Sequence, residues 1–325
     1  MRRILSAAVA AALSLTGILA SPSNASTANI WHVQAGSVQF SPLGVPFGGG
    51  NRFYPEAIAI HAGDSVVFTP IGPHTVTFNR PPAPVFALFA PINATSTAGT
   101  IANQAAPVSS GIIGDSFPPA GYTLTFAATL PAGQYRLICG LHIGMTETVD
   151  ILPAAESLPK TDVEYGAQAQ RQIARDLATL AEIRAEAREN DEDEDDGPTV
   201  SVGAGNPRVS NLRFFPAVTT IHVGQTITFV KTHDPTEPHT VTFGPENPDP
   251  LIQLIPSGGN TYDGTGTVNS GFLSTKAQFA FYQLAGTPLV QATKFRVTFT
   301  KPGTYDYICE LHDTAGMVGK VIVRP

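Results

Sequence analysis

Three blocks of this chain occur twice, in the same order. Residues 51–68 read NRFYPEAIAIHAGDSVVF and residues 212–229 read LRFFPAVTTIHVGQTITF; residues 73–78 and 238–243 both read PHTVTF. The third block, Ile138-Cys139-Gly140-Leu141-His142, answers Ile308-Cys309-Glu310-Leu311-His312. Self-similarity of this kind marks a tandem duplication, so one fold must serve both halves. The repeated segments are strand-like: Ser65-Val66-Val67-Phe68, Thr75-Val76-Thr77-Phe78 and Tyr135-Arg136-Leu137-Ile138 are rich in β-branched and aromatic residues and partly alternate. Gly63, Gly133, Gly224 and Gly303 punctuate them as turns, with Lys301-Pro302-Gly303-Thr304 the strongest turn signal. Many short strands between Gly and Pro turns predict an all-β chain with one antiparallel sandwich per half.

A length of 325 residues suits two such domains with additions. Arg2 and Arg3 precede an apolar stretch, Ile4 to Ala20, and the small residues Ser23 and Ala25 permit cleavage before Ser26, the pattern of an export signal over residues 1–25. The apolar stretch is short for a membrane span and contains Ser6, Ser14 and Thr16, and no other apolar run is long enough to cross a bilayer. The mature chain is therefore expected in the periplasm or secreted, without a membrane span. The formal net charge of −7 leaves no basic footprint for nucleic acid. The expected division is residues 26–152 for the first domain, 153–198 for a linker and 199–325 for the second domain. Within the linker, Thr161-Asp162-Val163-Glu164 reads as a capping box opening a helix, with Ile173, Leu177, Leu180 and Arg184 at helical spacing and an end near Asn190. The unbroken acidic run Asp191–Asp196, closed by Gly197-Pro198, reads as a disordered, solvated spacer. A docking patch for a basic redox partner is the alternative reading of that run.

Each half ends with a Cys and a His three apart, followed by a Met: Cys139, His142 and Met145, then Cys309, His312 and Met317. Each also carries an upstream His within the repeated block, His74 or His239. Two imidazoles and a thiolate make a trigonal site with a thioether on its axis, the ligand set of a type 1 copper centre. Thiolate and thioether favour Cu(I) and imidazole accepts both oxidation states, so such a site reorganises little on electron transfer. In an exported chain, Cys139 and Cys309 also invite a disulfide. Their identical Cys-x-x-His contexts speak for two metal loops instead. The chain has three Met, one of them the initiator, and both others follow Cys-x-x-His. His61 and His222 recur in the repeat but precede a Gly turn and read as structural; His32 and His233 read as surface residues.

These halves resemble the cupredoxins, the group of plastocyanin, amicyanin and pseudoazurin. The resemblance rests on Pro73-His74, the Cys139-x-x-His142-x-x-Met145 loop, Pro238-His239 and the Cys309-x-x-His312-x-x-x-x-Met317 loop. The first loop has amicyanin-like spacing and the second plastocyanin-like spacing. The resemblance implies an eight-stranded Greek-key sandwich for each half; with the linker helix read above, the chain is expected to be two such sandwiches joined by a linker with one α-helix. The resemblance further implies one copper ion in each, and a loop His (His142, His312) that reaches the surface as the electron port. One position departs from the family: Thr75 and Thr240 stand where an Asn commonly pins the Cys loop, and a Thr hydroxyl can offer a similar but shorter bond. The segments 79–122 and 244–293 are long insertions.

Three functions are compatible with such a chain. The first is electron transfer between unidentified redox proteins through two mononuclear copper sites. Copper sequestration or delivery would use the same atoms. A multicopper oxidase or nitrite reductase would need further all-imidazole copper, seen in those families as His-x-His pairs and a His next to the Cys. This chain has no His-x-His, and Ile138, Gly140, Ile308 and Glu310 flank the two Cys. A carrier rather than an enzyme is expected.

Overall fold

The structure is a computed structural model of the chain and describes residues 28–80, 92, 95, 97–114, 121–189, 197–249, 252–282 and 290–325. The export-signal segment 1–25, the acidic run 191–196 and most of 81–96 lie outside the described residues.

The first half folds as two facing five-stranded sheets. One runs Phe53–Tyr54, Ile30–Ala35, Ser65–Pro70, Tyr122–Phe126, Ala98–Ile101; the other runs Ala57–His61, Thr146–Leu152, Gly133–Ile138, Thr77–Phe78, Val108–Ser109. The strands alternate buried with half-buried or exposed side chains, as in Ser65–Pro70 and Thr146–Leu152, which is what a sandwich with one wet face demands. Trp31, Phe53, Phe68, Tyr122, Phe126 and Tyr135 fill the space between the sheets. The resemblance implies eight strands, and among the described residues these two sheets hold ten. The surplus pair, Ala98–Ile101 and Val108–Ser109, comes from the 79–122 insertion and lies at the outer edge of each sheet. Edges so covered no longer offer unpaired N–H and C=O groups.

The second half repeats the plan. One sheet runs Val218–His222, Val318–Arg324, Gly303–Ile308, Thr242–Phe243, Val268–Asn269, the last strand again coming from the insertion. The facing sheet begins Thr261–Tyr262, Lys294–Phe299, Thr226–Val230, Thr199–Gly205, Val209–Phe215 and then continues into the first half, through Pro46–Gly50 and Gln39–Phe40. Val209, Ser210 and Asn211 pair antiparallel with Gly50, Gly49 and Gly48. Three consecutive glycines fit this seam because a Cβ on Gly48 would lie 2.4 Å from the Ser210 carbonyl oxygen, and one on Gly49 only 1.7 Å from that of Ser37.

Helix α1, Asp162–Glu189, lies across the same seam. Thr161 starts it: the Glu164 N–H bonds the Thr161 hydroxyl, and the Glu164 carboxylate accepts from the Thr161 N–H. Asp176 holds the helix to the first half through both carboxylate oxygens on Arg52 Nη1, each at 3.0 Å, and through Tyr54 Oη at 2.8 Å. Leu180 packs with Phe47 of the first half and Val209 of the second. The halves thus share a sheet and a helix rather than hanging on a bare tether. Among the described residues no helix is long and apolar enough to cross a membrane.

Candidate metal centres

In each half the Cys directly follows one strand and the Met precedes the next, so the cluster sits in the hairpin between Gly133–Ile138 and Thr146–Leu152, or between Gly303–Ile308 and Val318–Arg324. A backbone bond closes each loop: the Cys139 N–H donates to the Met145 carbonyl and the Cys309 N–H to the Met317 carbonyl, both at 3.0 Å. The upstream His lies just before the strand that pairs with the Cys strand, Thr77–Phe78 or Thr242–Phe243, and is pinned by reciprocal backbone bonds between His74 and Ile113 and between His239 and Leu273.

The side chains then converge. Cys139 Sγ lies 3.5 Å from His142 Nδ1 and 3.8 Å from His74 Nδ1, and the two nitrogens are 3.1 Å apart. In the second half Cys309 Sγ lies 3.4 Å from His312 Nδ1 and 3.7 Å from His239 Nδ1, with 3.1 Å between nitrogens. The donor atoms of each trio lie within 4.8 Å of one another. Both Cys are free thiols, not a disulfide. Met145 and Met317 are buried in the same clusters as their Cys. A soft sulfur and two imidazole nitrogens held apart from water fit a copper ion, and a metal-lowered thiol would ligate as thiolate. Without metal the groups already lean that way. Burial pushes the Cys139 thiol up, yet the positive His142 beside it and bonds from His142 and His74 bring it well below the usual thiol range. Cys309 behaves alike beside His312.

Hydrogen bonds hold each sulfur and its loop. The Thr75 and Leu141 N–H groups point at Cys139 Sγ, both at 3.4 Å, and the Thr240 N–H at Cys309 Sγ, at 3.3 Å. The hydroxyls of the two family-departing threonines accept from the residue after each Cys: Gly140 N to Thr75 Oγ1 at 2.7 Å, and Glu310 N to Thr240 Oγ1 at 2.8 Å. Threonine therefore pins the loop as the longer Asn would, over a shorter reach.

All four Nδ1 atoms face sulfur, and every Nε2 meets an acceptor. His74 Nε2 lies 3.1 Å from the Ile71 carbonyl oxygen and His239 Nε2 3.1 Å from Asp234 Oδ2. His142 Nε2 lies 3.0 Å from Glu237 Oε1, and His312 Nε2 3.5 Å from Glu237 Oε2. Such partners fix the tautomer that leaves Nδ1 free for a metal. Burial pushes the Asp234 carboxyl up, but the Lys231 charge and the His239 bond outweigh it and hold it down at about 2. Burial likewise opposes ionisation of Glu237, and the facing His142 and His312 overcome it, bringing its carboxyl well below the usual range.

Two glycines make room for the upstream rings. A Cβ on Gly36, at φ +80°, would stand 2.1 Å from His74 Nε2; one on Gly203, at φ +77°, would stand 2.3 Å from His239 Nε2. In one respect the structure corrects the expectation. His142 is 5 % exposed and faces a carboxylate of the other half, so it offers no surface port; the His312 side chain keeps 16 % exposure. Sequence reading singled out neither glycine and gave Asp234 and Glu237 no firm role. A signal existed: from Phe68 to His74 is six positions, whereas from Phe229 to His239 is ten, and the longer loop carries both carboxylates. The His61 ring meets the Glu156 carbonyl oxygen and the His222 ring a main-chain oxygen of Pro325, both away from the candidate centres, and His233 is exposed.

Each sandwich thus gathers two histidines and a buried cysteine, the cysteine and one histidine on the hairpin and the other histidine from just before a neighbouring strand. Residues 200–324 match the family of copper binding proteins of the plastocyanin/azurin type. Chloroplastic plastocyanin of Chlamydomonas reinhardtii is 30 % identical over 126 residues, which are 39 % of this chain and 66 % of that protein, just short of two thirds of its length. Among solved structures, oxidised plastocyanin from Dryopteris crassirhizoma aligns over 39 % of this chain and 99 % of its own, with 20 % identity and a TM-score of 0.24. An amicyanin mutant in its Cu(I) form aligns over 41 % and 87 %, also at 20 % identity and 0.24. The similarity to copper binding proteins of the plastocyanin/azurin type thus covers the second half of this chain.

Proposed function

We propose that this chain is an electron carrier with two type 1 copper sites, one per half. His74, Cys139, His142 and Met145 would hold the first ion, and His239, Cys309, His312 and Met317 the second. The observation that supports this most is the repetition of one donor geometry in both halves, with sulfur and two Nδ1 atoms within 4.8 Å and an acceptor behind every imidazole. Copper there would supply a one-electron couple; the protein's part is to hold the thiolate dry, orient the rings and keep the loops rigid. We assign residues 26–152 and 199–325 to the two copper domains and 153–198 to the connection. We also assign export to the periplasm or outside through residues 1–25, and a redox protein as partner. An oxidase would need all-imidazole copper, for which the chain lacks His-x-His pairs.

The test is to load the mature protein with Cu(II) and measure bound copper alongside the visible spectrum. Two ions per chain with intense thiolate-to-copper absorption, reversible reduction and no oxygen consumption are expected. Colourless binding of Cu(I) alone would replace the carrier by a sequestration protein, and steady oxygen consumption would replace it by an oxidase.

A further inference from the structure

We infer that Glu237 is a positioning residue shared by both metal sites, one carboxylate fixing a ligand ring in each half. This rests on the two-site reading above. Each oxygen serves a different half. Oε1 faces His142 Nε2 of the first at 3.0 Å and Oε2 faces His312 Nε2 of the second at 3.5 Å. The carboxylate is itself held from both sides. Asn51 Nδ2 of the first half donates to Oε1 at 2.8 Å, and the Glu237 N–H donates to Asp234 Oδ1 at 3.1 Å within the second. Glu237 is 8 % exposed, so solvent is a poor substitute for either bond. Each ring has only two nitrogens. With Nδ1 turned to sulfur, the orientation of His142 and His312 hangs on what Nε2 finds, and both find the same group. The surrounding seam leaves the halves little freedom to part: Asn51 N donates to the Arg208 carbonyl at 2.9 Å, and Arg213 donates to the Pro46 carbonyl of one half and the Ala315 carbonyl of the second metal loop. A shift of one ring moves the acceptor of the other, so the two centres are one mechanical unit.

The inference is tested in the full mature chain with single-site backgrounds, Cys309→Ser leaving the first site and Cys139→Ser the second. Copper dissociation constants are read by chelator competition with and without Glu237→Ala. We expect a loss of about 10–100-fold in both backgrounds, the usual effect of removing a ligand's outer partner; an unchanged constant in either one overturns the shared role. Where Glu237→Ala does not fold, Glu237→Gln replaces it. The amide has one acceptor oxygen, so one site should weaken and the other hold; two unchanged sites overturn the inference. A third readout needs no copper. In the metal-free chain the Nε2–H protons of both His142 and His312 should be protected from exchange in NMR spectra, and both should lose protection in Glu237→Ala. Protection of only one ring in the parent would overturn the shared role even if two blue sites form. Absence of blue sites with both rings protected would sink the copper-carrier reading alone.

Discussion

The two candidate centres share their donors and differ in what stands behind one ring. In the first half the turn from Phe68 to His74 is short, and His74 Nε2 meets a neutral backbone carbonyl, that of Ile71. In the second the longer turn folds Asp234 in behind His239, with both side chains fully buried. The same turn throws Glu237 across to the other half. An anionic partner makes an imidazole the stronger donor and favours the more positive state of a bound ion. Buried Lys231, whose ammonium bonds the Asp234 carbonyl, offsets part of that charge. The clustered side chains are thus alike in the two halves while the turn beside them differs. The difference predicts unequal potentials, the second site being the lower.

The comparison can be broken in four places. The largest effect falls on the ligands: Cys139→Ser should abolish the absorption of the first site and leave that of the second, checked by visible and EPR spectra; loss of both would mean that the halves do not bind separately. Next come the glycines. An alanine Cβ at Gly36 or Gly203 meets the ligand ring at about 2 Å and takes a positive φ that costs roughly 1–2 kcal/mol. Gly36→Ala and Gly203→Ala should each cripple copper binding in their own half to a similar degree, measured by titration; an effect in one half only would show that the equivalence is superficial. Third, Asp234→Asn should raise the potential of the second site alone. A tenfold change in the preference between oxidation states corresponds to about 59 mV for one electron, and a shift of that order is expected in voltammetry. An unmoved potential would mean that Lys231 cancels the carboxylate. Smallest are Thr75→Val and Thr240→Val, which strip the acceptor from a buried N–H after each Cys. About 1–3 kcal/mol of stability should be lost in denaturant titration, equally in both halves.

Much of this was legible in the sequence, because the informative features were local. Repeated blocks pointed to two halves of like fold, Cys-x-x-His pointed to side chains that do cluster with the upstream His in each half, and Thr161 with Glu164 marked the start of α1. What was hidden depends on contacts between segments far apart in the chain. Gly48-Gly49-Gly50 look like a flexible stretch, and only the approach of Ser210 and Asn211 explains them. Glu237 sits beside the second ligand in sequence yet half its role lies in the first half, 95 positions from His142. The surface port expected for His142 failed for the same reason: a single sandwich would expose that ring, and the partner half covers it.

The decisive question is where metal sits. A crystal structure of the copper-loaded chain, with anomalous data at the copper edge, should show two peaks per chain. One should be bounded by His74 Nδ1, His142 Nδ1 and Cys139 Sγ and the other by His239 Nδ1, His312 Nδ1 and Cys309 Sγ, with Glu237 between the two. A single peak, or copper held by other side chains while these trios stay empty, would contradict the two-site carrier.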